Sequence, residues 1–451
     1  MIGFTLAATG GFILLHASQC QPKNTTSVVV ANLLSIAVAT ISFWGVGFAF
    51  ALGENSTTNS NFFLSHSRFF LYEATLQDYV NFGNEVVVLG LVIVLANGGF
   101  IARLRHWVYP LVSIFVAGFI YPCTRHWTGH IDGWLKDGIT VDKIKIVYTD
   151  MYGAASIHVF GGSAALLGTI LLAPRRDREA KGFKPVGGNL IPLILAGGSL
   201  ALVGLIVKNG GMTDGIALTN NILAAQAGAF TAYLLKRTGY CGDPSSTKAL
   251  LNGAIAGVVG VACMPERYHA YGAFVVGLVA ALAYVGWSAL LQLCHVDDPT
   301  DTVAVHLGAG LWAVLAGPIF DKTNGCLYDG AKENFQKFGW HVLGGVAVFV
   351  WTGLTVFIVM VMFVWTRIAK YSNQEAVQRG LDAYEHEPAY PDREQYTQDQ
   401  YDQGVDDLLP SRDNKGYSNG YDNPHRGVSR HSQQPISLDY RNEQQWKNSK
   451  Y

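Results

Sequence analysis

The sequence predicts an all-α membrane protein of eleven spans, with two histidines buried in matched spans. Three observations carry that reading. Of 451 residues, half are hydrophobic and only 14% are charged, against roughly 25% charged in soluble domains. Up to residue 370 the chain is a succession of apolar runs, and at ~20 residues per crossing that length holds about eleven of them with loops. Two runs each carry a single histidine: His158 in DMYGAASIHVFGGSAALLGTILLAPRR and His306 in DDPTDTVAVHLGAGLWAVLAGPIF. An ionisable side chain at membrane depth is costly, so each is a functional candidate by default.

Taken in order, the runs place spans near 3–18, 27–52, 84–101, 108–123, 153–173, 187–207, 215–235, 249–265, 271–293, 303–320 and 340–366. The first lacks the basic leader of a cleavable signal peptide and carries a histidine near its end, so it reads as a span. Only RLRH separates the third from the fourth. The 50 glycines suit helices packed closely inside a bilayer. Net charge is −1, which gives a nucleic acid nothing to bind. Six scattered cysteines have no metal-like spacing; they read as buried thiols, ahead of a Cys20–Cys123 bridge.

Basic residues orient the chain. Arg103 and Arg105, then Arg175, Arg176, Arg178, Lys181 and Lys184, then Lys236, Arg237 and Lys248 all fall in loops of one parity. The positive-inside rule makes those loops cytoplasmic, which puts the N-terminus outside and the C-terminus inside. The sequon at Asn55 is then extracellular and open to glycosylation, whereas the one at Asn24 abuts a span on the inner side. Asp150 and Asp298 each precede a span histidine by the same interval, one in span five and one in span ten. Five spans apart, they suggest two inverted halves, a pseudo-two-fold repeat.

Two imidazoles with no Cys, Asp or Glu beside them in the spans make a poor metal set, so no metal or cofactor is expected. A neutral pair could instead accept and pass protons along a narrow pore. Packing histidines are the plainer alternative for each taken singly. An enzyme using them as general bases ranks last, because no nucleophile accompanies them. Asp150 fits a helix N-cap and also a carboxylate that concentrates cations at an entrance. Trp134 offers an aromatic face to a small cation, or belongs to an interfacial belt.

Several stretches together resemble the ammonium transporter family of the Amt/Mep type over residues 3–390: ASQCQPKN, RHWTGHIDGWL, DMYGAASIH, ALTNNILAAQAG, STKALLNGAIAGVVGVA, DDPTDTVAVHLGAGLW and GLDAYEHEPAY. The resemblance implies the family's eleven-helix fold and a homotrimer with one pore per subunit in the plasma membrane. It implies that His158 and His306 are the twin pore histidines. Asp150 and Trp134 would belong to the outer site that recruits ammonium, which loses its proton and crosses as ammonia. The pore mouth departs from the pattern: Lys208 and Met212 stand where the family has phenylalanine and serine, and the other gate phenylalanine falls at Val88. A lysine there leaves three situations open: an amine neutralised by burial, a stem that snorkels its charge outward, or an obstructed path. The last would make the chain an ammonium sensor or a modulatory subunit of mixed trimers.

Beyond residue 370 the composition turns polar and rich in Tyr, Asp, Asn and Gln. Residues 371–391 are expected to form a cytoplasmic regulatory segment. Gly380, Leu381, Asp382, His386 and Tyr390 carry its resemblance to the family's C-terminal motif, with Pro388 as a departure. Residues 392–451 bury too little apolar surface to repay ordering and are expected to be a disordered tail.

Overall fold

The computed structural model describes residues 2–53, 61–175, 191–238, 246–366, 368–369 and 380–382. All of them belong to one compact unit, Met1–Pro391. Asn55, His386, Tyr390 and the tail 392–451 lie outside the described residues.

The helices follow the apolar runs. They are α1 (Ile2–Gln19), α2 (Pro22–Leu52), α3 (Leu76–Asn97), α4 (108–129), α5 (Ala154–Leu172), α6 (Ile191–Gly211), α7 (Gly215–Arg237), α8 (Ser246–Val261), α9 (Ala270–Leu293), α10 (Val303–Phe320) and α11 (Lys332–Trp365). Among the described residues, eight of these have the length and apolarity to cross a membrane. The exceptions are α1, α7 and α8: α1 ends on polar residues, α7 carries Thr219, Asn220, Asn221 and Gln226, and α8 is short. Ile139–Val141 (β1) and Ile144–Ile146 (β2) form one antiparallel hairpin between α4 and α5.

Two helices start earlier than hydropathy places them, because polar residues rather than apolar ones begin them. Thr75 and Asp78 form a reciprocal capping box that opens α3 at Leu76. α11 opens at Lys332 on a polar stretch before its apolar run. Down α11, Val346, Val350, Leu354 and Ile358 are all exposed. Their four-residue spacing makes one apolar stripe, which a bilayer would cover.

The core around the histidines depends on close helix approach. α5 crosses α10 where Gly162 faces Leu307; a Cβ on Gly162 would lie 2.4 Å from the Leu307 backbone nitrogen. Only hydrogen at that position lets the two backbones meet. α11 packs along α5 and α10 and closes that side.

One cluster of charged residues surrounds residues 297–301. Arg175 grips Asp297 with Nε at 2.7 Å and Nη2 at 3.1 Å, and Arg103 donates to the carbonyls of Gly99, Ala173 and Asp297. Lys248 pairs with Asp301 at 3.1 Å, and Lys236 donates to Ser288, which contacts the same carboxylate. Burial alone would raise the Asp297 carboxyl, but its hydrogen bonds and charge pairing with Arg175, aided by Arg103, bring it down to about 2. The arginines and lysines read from sequence as loop charges are thus partly structural clamps. Cys20 and Cys123 are free, buried thiols.

Candidate functional site

His158 and His306 meet. Their Nδ1 atoms lie 3.1 Å apart and their rings are nearly parallel, with centroids 5.2 Å apart. Both side chains are buried. Each sits in a π-helical turn that opens its helix, Ala154–Val159 for α5 and Val303–Gly308 for α10. An Nδ1···Nδ1 contact requires one ring to donate and the other to accept. Two imidazolium rings would face N–H against N–H, so at least one ring of the pair is neutral and accepts the single bridging hydrogen. His158 Nε2 is buried without a partner among the described residues. That atom is free for a small polar solute.

The acids ahead of the histidines cap the turns that carry them. Asp150 accepts from the amides of Gly153, Ala154, Ala155 and Ser156, at 3.0, 2.6, 2.9 and 3.3 Å. Asp298 accepts from the Ala304 amide at 3.1 Å. A carboxylate at a helix N-terminus satisfies donors that have no intrahelical acceptor and also meets the positive end of the dipole. The matched spacing places an acid at the start of each turn, with four amide bonds to Asp150 and one to Asp298.

A cavity of about 560 Å³ reaches this region, lined in part by Glu85, Val88, Arg125, Asp150, Ser156, Ile157 and Lys208. Ser156 and Ile157 immediately precede His158. Glu85 accepts from Arg125 Nη2 at 2.6 Å and Nε at 2.9 Å, with the Tyr121 hydroxyl at 3.4 Å. Lys208 is 4% exposed, and its Nζ donates to the Tyr152 carbonyl oxygen. The outward-reaching stem allowed by the sequence is not the conformation observed; the amine turns inward to a backbone acceptor. In the same last turn of α6, Gly210 has a φ of 83° that suits glycine, and its missing Cβ leaves room for the Tyr152 hydroxyl.

The mouth residues read from sequence divide. Asp150, Lys208 and Val88 line the cavity; Trp134 and Met212 do not. The Trp134 indole packs between Trp127 and Trp340, with centroids at 5.9 and 5.8 Å. Gly129, five residues earlier in the same motif, reaches the cavity instead. The one-turn helix Trp134–Asp137 carries this tryptophan into an aromatic cluster, which spacing alone did not reveal. Met212 is 67% exposed beyond the end of α6.

Sequence reasoning missed Glu85 and Arg125. An acid opening an apolar run and an arginine inside YPCTRHW were the available signals. It also missed His16, whose buried ring approaches Thr302 at 3.5 Å, and Phe12, whose ring meets His306 edge-on at 5.1 Å. A second, small cavity beyond His306 is lined by His16, Asn252, Asp301 and Thr302. Among the described residues no group of three His, Cys, Asp or Glu is placed to hold a metal ion.

Gly380, Leu381 and Asp382 lie at the start of α2. Asp382 accepts from the Thr26 and Ser27 amides at 2.9 and 2.8 Å, and the Leu381 amide donates to Asn24. The acid of the GLD sequence thus caps a helix more than 350 residues away in the chain.

Long apolar helices enclosing a buried histidine pair define a multi-pass membrane protein built around an internal polar site. Its particular kind follows from comparison: residues 1–390 match the Ammonium Transporter Family, and the chain belongs to that family. The family's members are channel-type transporters, not enzymes. The chain is 30% identical to the Putative ammonium transporter 1 of Caenorhabditis elegans over 412 residues, covering 84% of this chain and 76% of that one. It is 26% identical to Ammonium transporter Amt2 of Archaeoglobus fulgidus, covering 84% of each. Its fold is shared with a structure described as a Sensor Amt Protein, at TM-score 0.76 and 20% identity over 85% of this chain and 96% of that one. It is shared also with Candida albicans Mep2, at TM-score 0.71 and 21% identity over 86% and 90%.

Proposed function

We propose that this chain moves ammonium nitrogen across the plasma membrane, with ammonia passing the His158–His306 pair. One observation carries the reading: a cavity walled by Asp150, Ser156 and Ile157 extends to the residues immediately before His158, whose buried ring pairs with His306 at an Nδ1–Nδ1 distance of 3.1 Å. Ammonium enters the outer cavity, where Asp150 supplies negative charge, and releases its proton there. Ammonia continues, because a neutral solute escapes the cost of carrying charge through a dry passage. Its lone pair and N–H groups match an imidazole pair that offers both a donor and an acceptor.

Eleven crossings with an outside N-terminus and an inside C-terminus accompany this reading. The clustering of Arg103, Arg175, Lys236 and Lys248 around residues 297–301 supports the orientation, since it puts the basic loops at one end. The paired Asp–turn–His arrangements support an inverted repeat. A homotrimer with one pore per subunit and a glycan at Asn55 complete the proposal, and residues 371–391 would regulate transport. Ammonium uptake in transport-deficient cells tests the core of it. Uptake equal to empty cells, at normal surface level, would reject transport.

The second reading, a non-conducting sensor or modulatory subunit in mixed trimers, is favoured by Lys208. A unit charge about 4 Å from an approaching cation costs about 4 kcal/mol at an effective dielectric near 20. Absence of uptake in the wild type together with a gain in Lys208→Phe would select this reading.

A further inference from the structure

The wall of the outer cavity does not look like a simple cation trap. Three cationic side chains (Arg125, Lys136 and Lys208) and two anionic ones (Glu85 and Asp150) line it. Both acids are already engaged: Glu85 by Arg125 through two hydrogen bonds, and Asp150 by four backbone amides. Lys208 stands in the last turn of α6, beside the segment that leads into the His158 turn, with its amine on the Tyr152 carbonyl. A lysine ammonium has three donors and no acceptor. One donor is used by Tyr152, which leaves two.

That chemistry separates the two forms of the substrate. Ammonia has a lone pair and accepts a hydrogen bond from Lys208. Ammonium has none, so it offers Lys208 only a like charge in a confined site. Resting on the transport reading, we propose that Lys208 is the specificity-determining residue of the mouth: it passes ammonia, turns back ammonium and alkali cations, and confines proton release to the outer cavity. The step is balanced by one N–H bond breaking, with the proton leaving to cavity water and the neutral base moving on. A fixed cation performs the same kind of exclusion in pores that reject protons and cations.

The test uses the full-length protein at the surface of transport-deficient cells, with ammonium at fixed total concentration from pH 6 to 8. Initial uptake and ammonium-dependent current are recorded for wild type, Lys208→Gln and Lys208→Met at matched surface level. Wild-type uptake is expected to rise about tenfold per pH unit, as free base does for an amine far below its pKa, with no current. Either neutral variant is expected to gain a current and to lose most of the pH dependence. Two neutral substitutions are used so that a folding failure in one does not decide the result. Wild-type uptake that is independent of pH and carries current would overturn this inference while leaving transport intact. So would an ammonia-following, current-free profile unchanged in both variants. A wild type at the surface that moves neither form overturns the transport reading, and this inference with it.

Discussion

At the scale of single residues, the site combines tightly paired polar groups with a few buried atoms left open, His158 Nε2 among them. Glu85 and Arg125 are the sharpest case, because both are largely buried and face the cavity. Removing one partner leaves the other charge unpaired, which typically costs 3–5 kcal/mol, whereas replacing both is far milder. Glu85→Gln should therefore lower the melting temperature of purified protein clearly, and Glu85→Gln with Arg125→Met should recover much of the loss. Equal melting of the single and double variants would show the pair to be unimportant. Asp297 gives a pH prediction with a definite sign. Its folded carboxyl lies near 2, below its ordinary 3.8, so the stabilisation is complete above that ordinary value and is lost as pH falls toward 2. The effect is on the order of 2 kcal/mol. Thermal melts across that acid range should show a steeper loss in wild type than in Asp297→Asn, while parallel curves would contradict the assignment.

At the scale of elements, two π-helical turns and one close crossing create the histidine pair. The crossing belongs to Gly162, where any side chain would meet the Leu307 backbone. Gly162→Val should push α5 from α10, separate His158 from His306 and abolish transport, with a melting loss of the 1–3 kcal/mol typical of overpacking. Full uptake in that variant would mean that the pairing is not needed. Here the sequence was informative in part. The two histidines and their upstream acids could be read because both sit in local patterns, an acid at a fixed interval before a lone membrane histidine. Glu85–Arg125 could not, since its partners come from different helices 40 residues apart and neither stretch announces the other. Trp134 was assigned to the mouth from its motif, but a one-turn helix directs it into an aromatic cluster, and such a turn leaves no hydropathy signal. Lys208 was legible as a departure; its inward direction depended on the Tyr152 carbonyl, a tertiary contact.

At the scale of the whole molecule, the apolar runs fixed the helix order because a bilayer solvent demands long apolar helices, whatever the loops do. Helix ends were less legible, since caps such as Thr75 set them. The GLD segment ties the C-terminal region to α2 through Asp382. Removing residues 392–451 should leave uptake near wild type, whereas removing 371–451 takes Asp382 away and should lower it; identical behaviour of the two truncations would refute the boundary. The central claim remains that nitrogen passes the paired histidines. Its most direct measurement is initial ammonium uptake, recorded with current, in wild type, His158→Ala and His306→Ala at matched surface level. Losing one hydrogen-bonding partner worth about 1 to 1.5 kcal/mol changes a rate about tenfold, so each substitution should shift uptake by about that factor or expose a current absent from wild type. Robust wild-type uptake that neither substitution alters, in rate or in charge carried, would contradict passage between His158 and His306.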